Sequence, residues 1–379
     1  MRIMHVIVGL GVGGAELMLQ RLIEHQMQHS DCQHWVVSLT DAGSVGEALI
    51  EKGVSVTTLN MGGYFSAPYV CYELYKLISN SQPDVVQTWM YHADLIGGLA
   101  ARLAGIKNIV WGVRTTDLNS GGKKATILVR KICSLLSKII PKVIVCSAEA
   151  SRREHVAIGY DGKRTIVIPN GFDLSRLNAS SEQGEIIRLA AGIGVGEIVI
   201  GSLGRFNPVK DHATFVAAAA VLATRYSHVK FLLIGRGLDS NNAELMRIIK
   251  STGQAERFVL LGERQDVAAC LKAMDVFCLH SQTEGFPNVL GEAMAMGLPC
   301  VTTNVGDAAY LLDGNGVVVP SRDPRALAKG IESILNMDAV ERSALGRSAM
   351  SRIHCDFTIS RASENFKSLY EAITYRGEG

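Results

Sequence analysis

The sequence has no long hydrophobic run and no excess of charge of either sign. No segment approaches the roughly 18 consecutive apolar residues that indicate a membrane-spanning helix, so we expect none. Lys and Arg total 38 against 36 for Asp and Glu, a balance that argues against a dedicated nucleic-acid-binding protein. Met1–Val8 lacks the long apolar region and small-residue cleavage site of a signal peptide and indicates a buried strand instead. We therefore expect a cytoplasmic protein.

Paired cysteine motifs are absent as well. None of the eight cysteines stands in C-x-x-C spacing, and most lie inside apolar runs, as Cys146 does after Val143–Val145. Cysteines in such runs are usually small buried hydrophobic side chains. The sequence therefore predicts neither a zinc site nor a disulfide framework.

The sequence does contain enough apolar residues for two cores. Its 379 residues exceed one ordinary domain, and 47% of them are hydrophobic. Short β-branched runs alternate with helix-length segments, which is typical of parallel sheets covered by helices on both faces. The first series of predicted strands is Arg2–Val8, Trp35–Ser38, Val54–Thr58, Val85–Gln87, Ile109–Val113, Val143–Cys146 and Thr165–Ile168. The second series is Ile198–Leu203, Lys230–Ile234, Phe258–Leu261, Val276–Leu279, Cys300–Thr303 and Val317–Val319.

A turn-rich break separates the two series. Residues Pro169–Asp173 are turn formers, and the polar segment Leu177–Gly184 has little to bury. We therefore predict an α/β protein with two Rossmann-like, doubly wound domains that face a central cleft. The predicted domains are residues 1–173 and 174–357. A predicted helix within residues 358–379 then packs on either domain, and we place it back on the N-terminal one.

A glycine-rich loop follows the first predicted strand. Gly9, Gly11 and Gly14 match the G-x-G-x-x-G pattern of dinucleotide-binding folds. An NAD site also needs an acidic residue at the end of the second strand, but that strand ends at Ser38–Thr40 and Asp41 comes only in the turn. Three interpretations stay open: an NAD site, a place where another substrate approaches the backbone and a helix N-terminus, or a tight structural turn.

The segment Ser281–Gly297 directly follows the predicted strand Val276–Leu279. It therefore lies at the carboxyl end of a parallel strand, where open α/β sheets bind ligands. Pro287 suits the first turn of a helix and Gly297 suits its end. The backbone amides of Phe286–Val289 then lie at a helix N-terminus, where they attract an anion.

Two glutamates accompany the start of this predicted helix. Glu284 lies just before it, and Glu292 lies about one and a half turns into it. This arrangement suits a site in which one carboxylate contacts a reacting sugar and the other contacts a ribose diol. The alternative for Glu292 is an ordinary solvated helix residue.

A second charged cluster, Gly204–Asp211, follows the predicted strand Ile198–Leu203. Arg205 can grip a phosphate with two donors and Lys210 can supply a point charge, which together suit a diphosphate leaving group. The alternative is a surface loop with two ordinary cations. Because the two glutamates are predicted at strand ends of the same domain, we favour the binding site.

The motifs together resemble those of glycosyltransferase family 4, whose members are retaining enzymes of the two-Rossmann (GT-B) architecture. The resemblance covers essentially the whole chain. Its supporting motifs are Gly13–Glu16, Pro169–Asp173 and the loop from Gly204 to Lys210. Its most specific motif is the E-x7-E pattern that starts at Glu284 and continues to Gly297.

The resemblance implies a role for each matching residue. Arg205 and Lys210 would hold the donor diphosphate. Glu292 would bind the ribose hydroxyls and Glu284 the transferred sugar, while Phe258–Arg264 would line the nucleobase. The remaining residues implied in nucleotide-sugar binding are Gly13, Gly14, Arg264, Gly285, Phe286, Pro287, Asn288, Val289 and Leu290. By this assignment the N-terminal domain takes the acceptor and the C-terminal domain takes the donor.

The chain departs from the family pattern after its fifth strand. Many relatives have a histidine there, whereas this chain has Arg114, which cannot fill a neutral hydrogen-bonding role. His92, at the start of a predicted helix, is a second catalytic candidate that would orient acceptor or donor, with a purely structural role as the alternative. No D-x-D motif occurs, so we expect no metal ion and no other cofactor. Cationic side chains and a helix N-terminus would neutralise the leaving group instead.

One basic stretch concerns a partner. Lys123–Lys142 contains six cations and no acidic residue, and its apolar residues at helical spacing are Leu128, Ile132, Leu135, Leu136 and Ile139. A basic amphipathic helix can lie on an anionic membrane, which predicts peripheral association with the inner face of the membrane. The alternative is a core helix with a solvated basic back.

These observations favour a metal-independent retaining glycosyltransferase. Its donor would be a nucleotide-sugar, a UDP-sugar before a GDP- or ADP-sugar, and its acceptor a glycan or lipid-linked glycan of a surface polysaccharide. Three alternatives stay open: an NAD-dependent oxidoreductase, a nucleotide-sugar epimerase of the same fold, and a catalytically silent nucleotide-sugar-binding protein. Nucleic acid is not expected as a partner.

Overall fold

The computed structural model describes residues 1–116 and 124–375. Backbone contacts divide the chain into two compact units. The first unit consists of residues 1–171 together with the chain from Ile359 onward, and the second unit is Phe172–Thr358. Each unit is built on one parallel sheet.

Within the described residues, the first unit has a seven-stranded sheet and six α-helices that precede the second unit in sequence. Its strands are β1 (Arg2–Ile7), β2 (Gln33–Ser38), β3 (Ser55–Thr58), β4 (Val85–Trp89), β5 (Ile109–Val113), β6 (Val143–Cys146) and β7 (Thr165–Val167). Its helices are α1 (Gly14–His29), α2 (Gly43–Glu51), α3 (Ala67–Ser81), α4 (Tyr91–Leu103), α5 (Lys124–Leu136) and α6 (Glu149–Ala157). The strands lie in the order β3-β2-β1-β4-β5-β6-β7.

The second unit has a six-stranded sheet. Its strands are β8 (Ile198–Leu203), β9 (Val229–Ile234), β10 (Phe258–Leu260), β11 (Val276–Leu279), β12 (Cys300–Thr303) and β13 (Val317–Val319). Its helices are α7 (Ser181–Ala190), α8 (His212–Ala223), α9 (Ala243–Lys250), α10 (Val267–Lys272), α11 (Asn288–Ala295), α12 (Ala308–Leu312), α13 (Pro324–Leu335) and α14 (Ala339–Asp356). The strand order is β10-β9-β8-β11-β12-β13. The next helix, α15 (Ile359–Tyr375), belongs to the first unit and contacts α1.

The strands read as unbroken apolar runs because helices cover both faces of each sheet. In the first unit, β4 and β5 are buried at every position. Ile3 and Ile7 of β1 face a core formed with α1, α2 and α15, whereas Met4 and Val6 face a core formed with α3, α4 and α5. All thirteen predicted strands are present, each within two residues of its predicted bounds, and the predicted doubly wound α/β class is confirmed.

Each sheet has one position where the strand order reverses. In the first sheet this switch point lies between β1 and β4, and in the second sheet it lies between β8 and β11. Loops that leave such neighbouring strands diverge and open a crevice at their carboxyl ends, where ligands bind. The segments after these four strands contain the glycine-rich turn, the first turn of α4 with His92, the Arg205–Lys210 cluster and the segment that begins at Ser281.

No helix in the described parts of the chain combines the length and the apolarity that crossing a bilayer requires.

Candidate active site

Two loops meet at the switch point of the second sheet. Residues 204–211 follow β8, and residues 280–287 follow β11. The backbone N–H of Gln282 donates to the carbonyl of Val209 at 2.8 Å, which joins the loops directly. Sequence positions about 70 residues apart therefore form one surface at the carboxyl edge of the sheet.

Lys210 and Glu284 form an ion pair at this junction. The Lys210 Nζ lies 2.6 Å from Oε1 of Glu284, and the Ser281 hydroxyl donates to the same oxygen at 2.6 Å. Both members of the pair are partly exposed to solvent. The structure thus brings together one predicted cation and one predicted carboxylate at a place that a ligand can reach.

His280 holds the backbone of this pair, a role that the sequence did not indicate. Its Nδ1 lies 2.5 Å from the Lys210 carbonyl and its Nε2 lies 2.8 Å from the Ser202 hydroxyl. Burial lowers the pKa of His280 to about 4, so the ring is neutral near pH 7. Nδ1–H therefore donates to the Lys210 carbonyl, while Nε2 accepts from Ser202. A single histidine after an apolar strand gives no local sign of a partner 70 residues away.

The turn around Glu284 is supported from behind by the loop after β12. Gly306 has φ +54°, and a Cβ there would come within 2.4 Å of the carbonyl oxygens of Glu284 and Gly285. The N–H of Asp307 donates to the Gly285 carbonyl at 2.9 Å. Only glycine combines this left-handed conformation with so close an approach, so the turn has a fixed support.

The helix after Glu284 begins where the sequence predicts. Pro287 is its N-cap, Asn288 its first residue, and Gly297 follows its end with φ +74°. Gly285 and Val289 are partly buried, whereas Leu290 is fully buried and its backbone N–H donates to the Pro287 carbonyl. Glu292, on the same helix, is largely buried. It is therefore not a solvated helix residue, which was the alternative for this position.

Aromatic packing anchors this helix within the second unit. The Phe286 ring lies 6.1 Å from the ring of Phe172 and 5.7 Å from that of Phe357. A Cβ at Gly291 would meet the Phe172 ring at 2.0 Å, so the small residue admits the ring against α11. The Pro169–Asp173 motif therefore contacts the E-x7-E motif through Phe172.

The remaining two predicted arginines of this unit lie in different settings. Arg205 is exposed in the loop after β8. Arg264 follows β10 and binds Asp266 with two hydrogen bonds of 2.8 and 2.6 Å, which raise the pKa of its guanidinium. Since β9 separates β10 from β8, the structure does not bring Arg264 next to the Lys210–Glu284 pair.

The predicted residues of the first unit lie at its own switch point. Gly13 is the N-cap of α1 and Gly14 its first residue, and a Cβ at Gly13 would meet the Glu16 carboxylate at 2.3 Å. His92 lies in the first turn of α4, half-buried, and burial lowers its pKa. Asp41 is located in the turn after β2, not at the strand end that a NAD ribose requires.

Arg114 packs inside the first unit. Its guanidinium lies 4.5 Å from the centre of the Trp89 ring and 5.6 Å from that of Phe366, and it donates to the Asn170 side chain at 2.8 Å. Burial lowers its pKa to about 10. These contacts give Arg114 a position between β5, α15 and the end of the first unit that favours a structural role.

The basic stretch has a different buried face from the one that its apolar residues suggest. Lys123 lies outside the described residues. Arg130 is only 4% exposed and shares the buried face of α5 with Cys133 and Ser134, whereas Leu135 is 75% exposed. Leu136 packs against the core of the first unit while Lys124, Lys131 and Lys138 are exposed, which fits the alternative of a core helix with a solvated basic back. The buried Arg130 and the exposed Leu135 depart from that alternative.

Groups of His, Cys, Asp or Glu that could hold a metal ion do not occur among the described residues.

Two family models match the chain. The model described as Glycosyltransferase Family 4 matches residues 12–176, and the model described as Glycosyl transferases group 1 matches residues 197–337. The chain is 28% identical over 312 residues to the UDP-Gal:alpha-D-GlcNAc-diphosphoundecaprenol alpha-1,3-galactosyltransferase of Escherichia coli, covering 78% of this chain and 77% of the relative. It is 24% identical over 315 residues to the capsular polysaccharide biosynthesis glycosyltransferase CapM of Staphylococcus aureus, covering 80% of each.

Solved structures show the same fold. HepE from Anabaena, crystallised with UDP, superposes with a TM-score of 0.84 at 20% identity, over 98% of this chain and 100% of that one. Sucrose-phosphate synthase from Thermosynechococcus elongatus superposes with a TM-score of 0.80 at 18% identity, over the full length of both. Since the two models lie on the two units and the motifs lie at their switch points, the chain belongs to glycosyltransferase family 4, the group 1 glycosyltransferases, and has their two-domain GT-B fold.

Proposed function

We propose that this glycosyltransferase moves a sugar from a UDP-sugar to a glycan or lipid-linked acceptor, with retention of configuration, in the synthesis of a surface polysaccharide. The observation that carries the proposal is the contact of Lys210 with Glu284 at the β8–β11 switch point. At this point a cation that suits the leaving diphosphate donates a hydrogen bond to a carboxylate that suits the sugar.

The leaving group is the first chemical requirement. As the bond between the anomeric carbon and the diphosphate oxygen breaks, negative charge builds on the diphosphate. Arg205, Lys210 and the amides at the start of α11 stabilise this charge, and each such contact contributes about 2–4 kcal/mol to the transition state. In the absence of donor, Glu284 holds Lys210 in place, so the cation is positioned before the diphosphate arrives.

The sugar and the nucleoside use the two glutamates. Glu284 accepts from hydroxyl groups of the transferred sugar, and Glu292 accepts from the ribose diol. The acceptor hydroxyl attacks the anomeric carbon from the face that the diphosphate leaves and passes its proton to a leaving phosphate oxygen. The new C–O bond therefore has the original configuration. His92 would orient the acceptor, with Gly13 and Gly14 leaving room for substrate at the start of α1.

Metal independence follows from the same residues. The sequence has no D-x-D motif, and two cationic side chains with a helix N-terminus supply the charge that a metal ion would otherwise provide. Transfer should persist in excess chelator. Loss of activity in chelator and its return with Mn²⁺ or Mg²⁺ would contradict this mechanism.

The substrate class rests on the relatives. The E. coli relative is named for UDP-Gal and a diphosphoundecaprenol-linked GlcNAc, and another relative for capsular polysaccharide. We therefore expect a UDP-hexose donor and an acceptor on a polyprenyl diphosphate.

A nucleotide-sugar panel tests the proposal. UDP-, GDP- and ADP-sugars are incubated with the protein, alone and with a polyprenyl-diphosphate-linked sugar, and free nucleotide and glycosylated lipid are quantified. The expected result is release of UDP that the acceptor accelerates. Conversion of the donor to an epimer without acceptor would assign an epimerase, and donor binding with no turnover would assign a silent binding protein.

A lipid-linked acceptor requires access to a membrane, and α5 provides a suitable surface. Lys124, Leu128, Lys131 and Leu135 are exposed at spacings of four, three and four residues, and Lys138 continues the line. Positions at this spacing share one side of a helix. Each cation near an anionic surface contributes on the order of 1 kcal/mol, so three of them give reversible, salt-sensitive binding.

Co-sedimentation with vesicles tests this association. Changing Lys124, Lys131 and Lys138 to Gln should abolish the preference for anionic over neutral vesicles. A matched control changes Lys250, Lys272 and Lys329, three exposed lysines of the second unit, and alters net charge equally. Equal binding of the two triple variants would remove the role of α5.

A further inference from the structure

Three consecutive helices form one layer on the first sheet. α3 packs on α4 and α4 packs on α5, and their buried residues share one core with the sheet, among them Leu74, Ala100 and Cys133. Their opposite sides therefore make a single surface that points away from the sheet, which we call the outer helix face. Its exposed large apolar residues are Phe65, Tyr69, Tyr72, Leu99, Leu103, Leu128, Leu135 and Ile139.

The other helix layer of the same unit has fewer exposed apolar residues on its solvent-facing side. Across α1, α2, α15 and the residues that directly flank them, the exposed large apolar residues within the described chain are Val12, Met27, Ile50 and Tyr375. Single exposed apolar side chains of this kind are ordinary on any surface. Eight of them on or beside the helices of one layer are about twice as many, and this excess suits a surface with a partner.

The aromatic end of the outer helix face is the most exposed. Phe65 is fully exposed in the turn before α3, and Tyr69 and Tyr72 are 65% and 53% exposed. The spacing of 69 and 72 places the two tyrosine rings on one side of α3, and Phe65 lies in the turn directly before that helix. Lys76 continues this side, with its Nζ 4.8 Å from the centre of the Tyr72 ring.

The charge on this surface is mostly positive. Its exposed cations are Lys76, Arg102, Lys124, Lys131 and Lys138, and Glu73, which pairs with Lys76, is an acid among them. Exposed aromatic rings beside cations are typical of surfaces that lie in the headgroup region of a bilayer. A protein partner of matching acidity would not by itself account for rings as exposed as these.

We propose that the outer helix face is the lipid-facing surface of the protein, with Phe65, Tyr69 and Tyr72 entering the headgroup–acyl boundary while the cations of α5 lie on anionic headgroups. The inference rests on the proposed membrane association and extends it to α3, about 50 residues from the basic stretch. Membrane binding then has two contributions. The apolar contribution of the rings is not weakened by salt, whereas the ionic contribution of the cations is screened by salt.

The test compares three variants on vesicles of phosphatidylcholine with and without phosphatidylglycerol, at low and high salt. Changing Phe65, Tyr69 and Tyr72 to Ser should lower binding at least about tenfold on both lipids and at both salt concentrations. The Lys124, Lys131 and Lys138 variant should lose only the salt-sensitive part. A control with Met27 and Ile50 changed to Ser, on the other helix layer, should bind like the wild type.

The possible outcomes distinguish the role of α3, the role of α5 and self-association of the chain. Wild-type binding with an unaffected aromatic variant overturns the role of α3 and leaves α5 in place. No wild-type binding at all overturns the membrane association itself. A wild-type dimer in sedimentation velocity that the aromatic variant dissociates would assign the face to a second copy of the chain. Unchanged melting temperature and unchanged transfer to a soluble acceptor analogue show that the variants are folded.

Discussion

At the carboxyl edge of the second sheet, Lys210 and Glu284 meet as a partly exposed ion pair, whereas two ionisable residues near the same edge of the first sheet, Asp94 and His155, are buried. Asp94, in the first turn of α4, accepts from the Thr88 hydroxyl at 2.5 Å, and burial raises its pKa to about 8. Burial lowers the pKa of His155 to about 4. These two side chains are therefore neutral near pH 7.

This difference divides the chemistry between the domains. Charge that develops on a leaving diphosphate needs cations that a ligand can reach, and the second domain presents them. We propose that the first domain instead recognises the neutral acceptor hydroxyl. Variants at the two edges should therefore fail in different ways.

The largest effect should come from the cations. Arg205→Ala or Lys210→Ala should lower kcat about 100-fold or more, because each removes one preorganised partner of the leaving group. Steady-state kinetics with the identified donor measure it. Arg225→Ala, which breaks the exposed pair with Glu332 on α13, is the matched control and should leave kcat unchanged. Near-normal turnover in both site variants would remove the phosphate role.

The two carboxylates should separate binding from transfer. Glu292→Gln should weaken the binding of free UDP, because a ribose diol prefers a charged acceptor. Glu284→Gln should spare UDP affinity and lower kcat, because its partner is the sugar. Calorimetry with UDP and transfer kinetics measure the two quantities. If both variants lose the same UDP affinity, Glu284 has been placed on the wrong part of the donor.

A smaller effect should follow from loosening the loop that holds Lys210. His280→Leu removes the donor to the Lys210 carbonyl and should lower kcat/KM about tenfold, the cost of one buried hydrogen bond. His280→Asn keeps a donor near the position of Nδ1 and should recover most of the activity. Equal losses in both variants, at equal melting temperatures, would argue against positioning through this hydrogen bond.

The smallest expected effect is on the pH dependence of stability in the first domain. Folding raises the pKa of Asp94 from 3.8 to about 8, so its contribution to stability is full below its ordinary pKa and is lost as pH rises toward 8. Asp94→Asn removes this dependence. The melting temperature of the wild type minus that of the variant should therefore fall from about pH 4 to about pH 8. Parallel curves would show that Asp94 is ionised in the fold.

The local pattern of the chain predicted the fold closely because it was strong and redundant. Runs such as Val143–Cys146 fit only buried parallel strands, and Pro287 and Gly297 mark helix α11 at both ends. Lys210 and Glu284 could be joined because both follow strands that meet at one switch point. The order of the strands within each sheet was not predicted, because periodicity does not report which strands are neighbours.

Contacts between distant segments were beyond the sequence. The tie from His280 to Lys210 depends on how closely two loops approach, which no local signal reports. The orientation of α5 was also hidden, because its buried face contains Arg130 and Ser134 while Leu135 faces solvent. The apolar residues of this helix alone therefore do not identify its buried face.

The return of α15 to the first unit has a consequence for folding during synthesis. Phe366 and Tyr370 complete a core that otherwise consists of residues from the first half of the chain, such as Trp89. That core cannot close until Ile359–Tyr375 has left the ribosome, whereas Phe172–Thr358 is continuous and can fold as soon as it emerges. The domain that is translated first is therefore the one that finishes folding last.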